Sequence, residues 1–247
     1  MSAECGAILS IQLPYLQPSA FSLLSCFIAI LLLPVVAMGL AGCATAPHDE
    51  PQVDHVILGI SSLDAGVREF EALTGVHATF GGQHPGRGTH NALIALGSGT
   101  YLEIIAPRPD AKLEGNLADL AKLDHLTPIG WAVRTTDIAA SRSRLAREGF
   151  RTSEPRAGSR ATPTGAVLRW STFTIEEPRH DTAPFFIHWD DMTTHPSKTS
   201  PEGCTLDRLE VEESNASLRI PLVASDSKTP SIALTLRCGT RTVRFPR

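Results

Sequence analysis

From residue 53 onward, apolar runs alternate with turn residues in an order that repeats. Residues 53–60 read as a strand. Ser61-Ser62-Leu63-Asp64 then reads as a helix start, where a serine side chain caps the first turn. Val67, Phe70 and Leu73 follow at helical spacing, and Gly75 stops the helix. Residues 77–80, 91–96 and 100–106 are three more strands, the last two joined by the tight turn Gly97-Ser98-Gly99. The series βαβββ then recurs. Residues 127–134 form a strand, and a helix capped by Thr136 or Asp137 ends at Gly149. Residues 151–154 are short and extended, and residues 166–175 and 184–190 are strands. Residues 113–123 read as a helical linker between the two units.

A single βαβββ unit cannot bury its own sheet well. Two side by side make a curved mixed sheet around a central cleft, the kind of concave place where ligands sit. The pattern therefore predicts an α+β domain over residues 53–191. Residues 192–247 add a small C-terminal β-rich extension, with strands at 205–211, 217–224, 231–236 and 240–245. The chain left after removing an N-terminal leader suits one domain or two small lobes.

That leader has its own pattern. No Asp, Glu, Lys, Arg or His occurs from Cys5 to Pro47, and the centre of the stretch is the apolar run Phe27-Ile28-Ala29-Ile30-Leu31-Leu32-Leu33. Leu40-Ala41-Gly42-Cys43 at its end resembles the bacterial lipoprotein box. The resemblance implies a signal over residues 1–42, lipid on Cys43 as the first mature residue, and a tether over residues 43–52. Ala44 after the cysteine resembles the pattern that sends lipoproteins to the outer membrane, facing the periplasm of the cell envelope. The competing reading is an uncleaved membrane anchor, against which Pro34 interrupts the run.

A net charge of −4 with no basic stripe excludes a nucleic-acid partner. Arg142, Arg144 and Arg147 on the second helix, with Arg151, Arg156 and Arg160 in the loop after it, read as a solvated face rather than an anion site. Of five cysteines, Cys5 and Cys26 leave with the signal and Cys43 carries lipid. Cys204 and Cys238 remain, a candidate disulfide in an oxidising compartment.

The chemistry starts from two side chains in apolar strands, His55 and Glu103. Buried alone, either would cost several kcal/mol. A shared ion or polar ligand would supply a partner. So would a backbone carbonyl for His55, or Arg108 or Arg134 for Glu103. The residues Val53-Asp54-His55-Val56, His84-Pro85-Gly86-Arg87-Gly88-Thr89-His90-Asn91, Gly99-Thr100-Tyr101-Leu102-Glu103 and Pro184-Phe185-Phe186-Ile187-His188-Trp189 resemble the vicinal oxygen chelate superfamily, in its glyoxalase-like branch. The resemblance implies ligands on the first and last strands of each unit: His55 and Glu103 from one, His188 from the other, with Gly130 where a fourth would stand. It implies one divalent metal ion, and a small oxygen-bearing ligand as partner beside a membrane reached through lipid. Two functions follow: metal-assisted lyase, isomerase or dioxygenase-type chemistry, or non-catalytic sequestration of the bleomycin-resistance type. Strand alternation is compatible with His55, Glu103 and His188 on one face. Tyr101, Trp131, Phe186 and Trp189 are candidate pocket walls. His84 and His90 flank a loop that would act as a lid, with one of them as acid or base.

Overall fold

The computed structural model describes residues 51–111, 113, 115–178, 182–211, 220, 223–225 and 232–246. The leader, Cys43 and the tether to Glu50 lie outside the described residues, as does much of the expected strand 217–224. Among the described residues no helix is long and apolar enough to cross a membrane.

The first unit consists of β1 (Gln52–Gly59), α1 (Leu63–Thr74), β2 (Thr79–His84), β3 (Thr89–Ala95) and β4 (Tyr101–Pro107). The Ala65 N–H donates to Ser62 Oγ at the start of α1, and Gly75 closes the helix with φ 77°, a left-handed conformation that glycine adopts without steric cost. Leu63, Gly66, Phe70 and Thr74 are the buried stripe of α1, spaced as one face of a helix requires. A 3-10 helix, Gly115–Lys122, stands where the helical linker is expected.

The second unit runs through β5 (Thr127–Arg134), α2 (Ile138–Arg147), β6 (Arg151–Thr152), β7 (Arg156–Ala161), β8 (Val167–Glu177) and β9 (Phe185–Trp189). Asp137 caps α2, accepting from the Ala140 N–H at 2.9 Å. Strand β7 replaces part of the expected loop. Arg156-Ala157-Gly158-Ser159-Arg160-Ala161 has no apolar alternation, and its extended state comes from antiparallel pairing with β8.

Within each unit the first and last strands pair parallel, β1 with β4 and β5 with β9. The units meet through antiparallel β1 and β5. The order β2-β3-β4-β1-β5-β9-β8-β6, with β7 also on β8, makes a nine-stranded sheet. It curls until its outer strands meet: the Arg160 guanidinium of β7 donates to the Gly81 carbonyl of β2.

The sheet's two faces differ. Val56, Leu58, Ile94, Leu102, Ile104, Trp131, Val133, Phe173 and Phe186 lie in the apolar core with Phe70 of α1 and Leu145 of α2. Alternation turns His55, Asn91, Tyr101, Glu103, Phe185 and Trp189 to the concave side. The extension forms a second sheet, in the order β11 (Val223–Ser225), β10 (Cys204–Val211), β12 (Ala233–Cys238) and β13 (Arg241–Phe245). Its Leu209, Leu234, Leu236 and Phe245 join the same core, and Phe245 stacks on Phe70 at 6.3 Å. Cys204 and Cys238 pair across β10 and β12 and are joined as a disulfide. Closing a separation of 34 residues removes unfolded-chain entropy worth about 3–4 kcal/mol.

Candidate functional site

The site is built on an irregularity in β1. Val53 pairs with Val133 and His55 with Ala132, so Asp54 has no partner of its own on β5. This is a β-bulge, which re-aims a side chain. It lets Asp54 and His55, neighbours in sequence, meet: the His55 Nδ1–H donates to Asp54 Oδ1 at 2.7 Å. Asp54 is fully buried. It also accepts from Arg134 Nε at 2.9 Å, from His195 Nε2 at 3.0 Å, and from Trp189 Nε1 at 3.2 and 3.3 Å. Burial pushes the Asp54 carboxyl up, but hydrogen bonds from His195 and His55 and their charges outweigh it and hold it far below the usual carboxylate range. His195 comes from the segment after β9, where the Ser197 N–H donates to its Nδ1 and leaves Nε2–H for Asp54.

With Nδ1 committed to Asp54, His55 turns Nε2 toward Glu103, whose Oε2 lies 3.8 Å away. Tyr101 stacks on the His55 ring at 4.5 Å, and Phe185 meets it edge-on at 5.4 Å. Glu103 is buried on β4 and accepts from Asn91 Nδ2 at 2.7 Å. His84 Nε2 stands 3.5 Å from Oε1, the oxygen that Asn91 also addresses, while His84 Nδ1 is held by the Thr89 hydroxyl at 2.9 Å. Burial pushes the Glu103 carboxyl up; His84, His55 and the Asn91 hydrogen bond bring it below its usual range. Burial lowers the His84 imidazole, against the charge of Glu103, which raises it. Burial, with the charge of Asp54, raises the Tyr101 phenol, which stays protonated.

The residues expected as ligands are only partly together. His55 and Glu103 face one another, but His188 does not join them. Its Nδ1–H donates to the Thr135 carbonyl at 3.0 Å. It shares the face of Phe186, which stacks on Phe173 in the core at 4.8 Å. The face of β9 that meets His55 is that of Phe185 and Trp189, one residue out of step with the expected alternation. Trp131 is likewise a core residue, donating Nε1–H to the Thr182 carbonyl at 2.8 Å. Neither Trp131 nor Phe186 reaches His55 or Asp54, whereas Tyr101 stacks on the first and Trp189 donates to the second. His84 is in the cluster as a strand residue of β2 rather than part of a lid. His90 turns outward on β3, its ring edge-on to Phe80 at 6.3 Å.

The expected ion centre at His55, Glu103 and His188 is therefore not formed. Among the described residues no three His, Cys, Asp or Glu side chains are disposed to hold an ion. Gly130 offers no donor. The two imidazoles near Glu103 address opposite oxygens of its carboxylate, which the Asn91 amide already occupies in part. This donor set does not fit a ready-made metal centre.

Sequence reasoning missed Asp54, Asn91 and His195 as site residues, and it offered Arg108 and Arg134 to Glu103, whereas Arg108 pairs with Asp110 and Arg134 with Asp54. Asp54 is adjacent to His55, which regular alternation would place on opposite faces. His195 follows the repeated units and carries no pattern of its own.

Two βαβββ units curled around an imidazole–carboxylate cluster define a protein of the vicinal oxygen chelate architecture. The chain belongs to the glyoxalase-like domain family, whose sequence model matches residues 53–223. A hypothetical protein from Staphylococcus aureus shares its fold, with TM-score 0.55 and 18% identity over 78% of this chain and 85% of that one. Methylmalonyl-CoA epimerase from Streptomyces coelicolor, as a single-residue variant in complex with 2-nitronate-propionyl-CoA, aligns at TM-score 0.41 and 20% identity over 58% of this chain and 97% of its own. The epimerase from Mycobacterium tuberculosis aligns at TM-score 0.40 and 20% identity, covering 56% and 87%. No curated protein matches the chain significantly.

Proposed function

We propose that the domain binds a small oxygen-bearing molecule against His55, Glu103 and His84 and moves a proton on it, as an isomerase or lyase does. The observation that supports this reading is Glu103: a buried carboxylate kept ionised beside two imidazoles, one of them locked by the fully buried Asp54. An ionised carboxylate in a nearly dry site is a base waiting for a proton. Glu103 takes one from the carbon beside a carbonyl, and the electron pair moves to the carbonyl oxygen. Tyr101, protonated on the same face, is the donor available to that oxygen. The proton returns to the same carbon, directly or through His55 Nε2, and the carbonyl reforms, so the base is regenerated.

The test is deuterium incorporation from heavy water into a panel of small hydroxyketones and 2-oxo acids, followed by NMR. Glu103→Gln should lower the exchange rate by about 10²–10⁴-fold, with unchanged circular dichroism. Exchange no faster in the wild type than in Glu103→Gln rejects the proposal. Ligand returned unchanged, and bound equally by both proteins, favours sequestration instead, for which Tyr101, Phe185 and Trp189 supply an aromatic wall.

We further propose that Cys43 anchors the chain by lipid to the periplasmic side of an outer membrane. Mass spectrometry of membrane-extracted protein from a bacterial host should find a lipid-modified peptide starting at Cys43. In Cys43→Ala the protein should move to the soluble fraction. An unmodified Cys43 still preceded by residues 1–42 rejects the anchor.

A further inference from the structure

Where the outer edges of the sheet meet, one cation is left over. Of the six arginines expected on a solvated face, three form ion pairs: Arg142 with Glu154, Arg144 with Glu148, and Arg151 with Glu176 and Glu177. Arg160 differs. It is only 4% exposed, and among the described residues its one hydrogen bond runs to the Gly81 carbonyl, with no carboxylate in ion-pair reach. Gly82 beside it has φ 143°, and a Cβ there would lie 2.5 Å from the Ala161 carbonyl. Glycine is thus what lets β2 and β7 close over the guanidinium.

A guanidinium carries five N–H donors in a planar fork, and one is engaged here. A buried cation without a counter-charge is unfavourable and usually paired. Glu103 is the carboxylate whose charge acts on it, beyond ion-pair distance. That carboxylate is already engaged by Asn91 and flanked by His55 and His84. Arg160 therefore lies beside the reactive cluster with an unused fork, and a carboxylate is the group that such a fork matches with two parallel hydrogen bonds. His84, partly exposed, marks the surface edge of the cluster.

We propose that Arg160 anchors a carboxylate of the molecule acted on at Glu103, which makes the ligand a small oxo- or hydroxy-acid. This rests on the reading of Glu103 as the site's base. The ligand's acid group neutralises Arg160, and the carbon beside its carbonyl lies toward Glu103.

The matched probes are 2-oxobutyrate and its methyl ester, which differ in the charge, titrated into the purified domain by ligand-observed NMR. The wild type should bind the acid at least about tenfold more tightly than the ester. Arg160→Lys should keep part of that preference, and Arg160→Gln should bind the two alike. If Arg160 merely braced β2 against β7, its variants would lower the melting temperature without changing the acid-to-ester ratio. That outcome overturns the proposal, as does equal binding, or no binding, of both probes by the wild type. Glu103→Gln should retain the preference for the acid. Exchange that still depends on Glu103, with no acid preference, removes only the carboxylate anchor. An intact preference without exchange removes only the proton-transfer reading.

Discussion

Asp54→Ala should destabilise the domain by about 3–5 kcal/mol, the usual cost of breaking a buried charge pair by removing one partner. The change strips the acceptor from His55, His195, Arg134 and Trp189 together, and leaves the Arg134 guanidinium, 28% exposed, without its carboxylate. Urea unfolding of the oxidised domain measures it. Asp54→Asn keeps the volume and some acceptor capacity, so its loss should be smaller. A cost under about 1 kcal/mol for the alanine variant would show that the four donors find other partners. Acid should show the same carboxylate. The folded group is held far below the usual range, while the unfolded one titrates near about 3.9. Below that pH the unfolded chain binds a proton that the folded one does not, so stability rises with pH there. The contribution is whole above roughly pH 5, and is lost as pH falls through the unfolded value and on toward the folded one. Asp54→Asn should therefore flatten the acid limb of the stability curve. An equally steep limb in both proteins would assign it to other carboxylates, such as Glu103.

Trp131→Ala should cost about 3–5 kcal/mol. The indole is fully buried on the helix-facing side of β5, and its Nε1–H has the Thr182 carbonyl as acceptor. Trp131→Phe fills most of the volume but removes that buried hydrogen bond, so its cost should be about 1–3 kcal/mol. The pair also tests which face of the sheet carries the chemistry. Trp131→Phe should leave ligand binding unchanged, whereas Trp189→Phe, which removes a donor to Asp54, should weaken it. A larger effect on binding from Trp131→Phe than from Trp189→Phe would contradict the assignment of faces.

Much of the fold is legible along the chain because it depends on local rules. Ser62, Asp137 and Gly75 mark helix ends by side-chain capping and by a left-handed turn. The apolar runs around His55 and Glu103 mark strands that are buried on both faces. Strand β7 is not legible, because the run from Arg156 to Ala161 has no apolar face and owes its state to β8. For the same reason Arg160 reads as solvated in the sequence and is buried in the fold. His55 and Glu103 could be picked out as polar residues in apolar strands. The error at His188 has a simple origin: alternation within a strand says which residues share a face, but not which face meets another strand's. Phe185 meets His55, so Phe186 and His188 lie on the other side.

The repeated βαβββ order, the helix caps, the β-rich extension and the polar pair His55 and Glu103 are written in the amino-acid order alone. Each of these rests on spacing within a few residues. The surroundings of that pair come from the packed fold. A bulge at Asp54 turned a neighbour in sequence into the carboxylate that orients His55. Curling of the sheet brought Arg160 of β7 to Gly81 of β2. The segment after β9 delivered His195 to Asp54. These are contacts between residues distant in the chain, or departures from regular pairing, and neither leaves a periodic trace in the sequence.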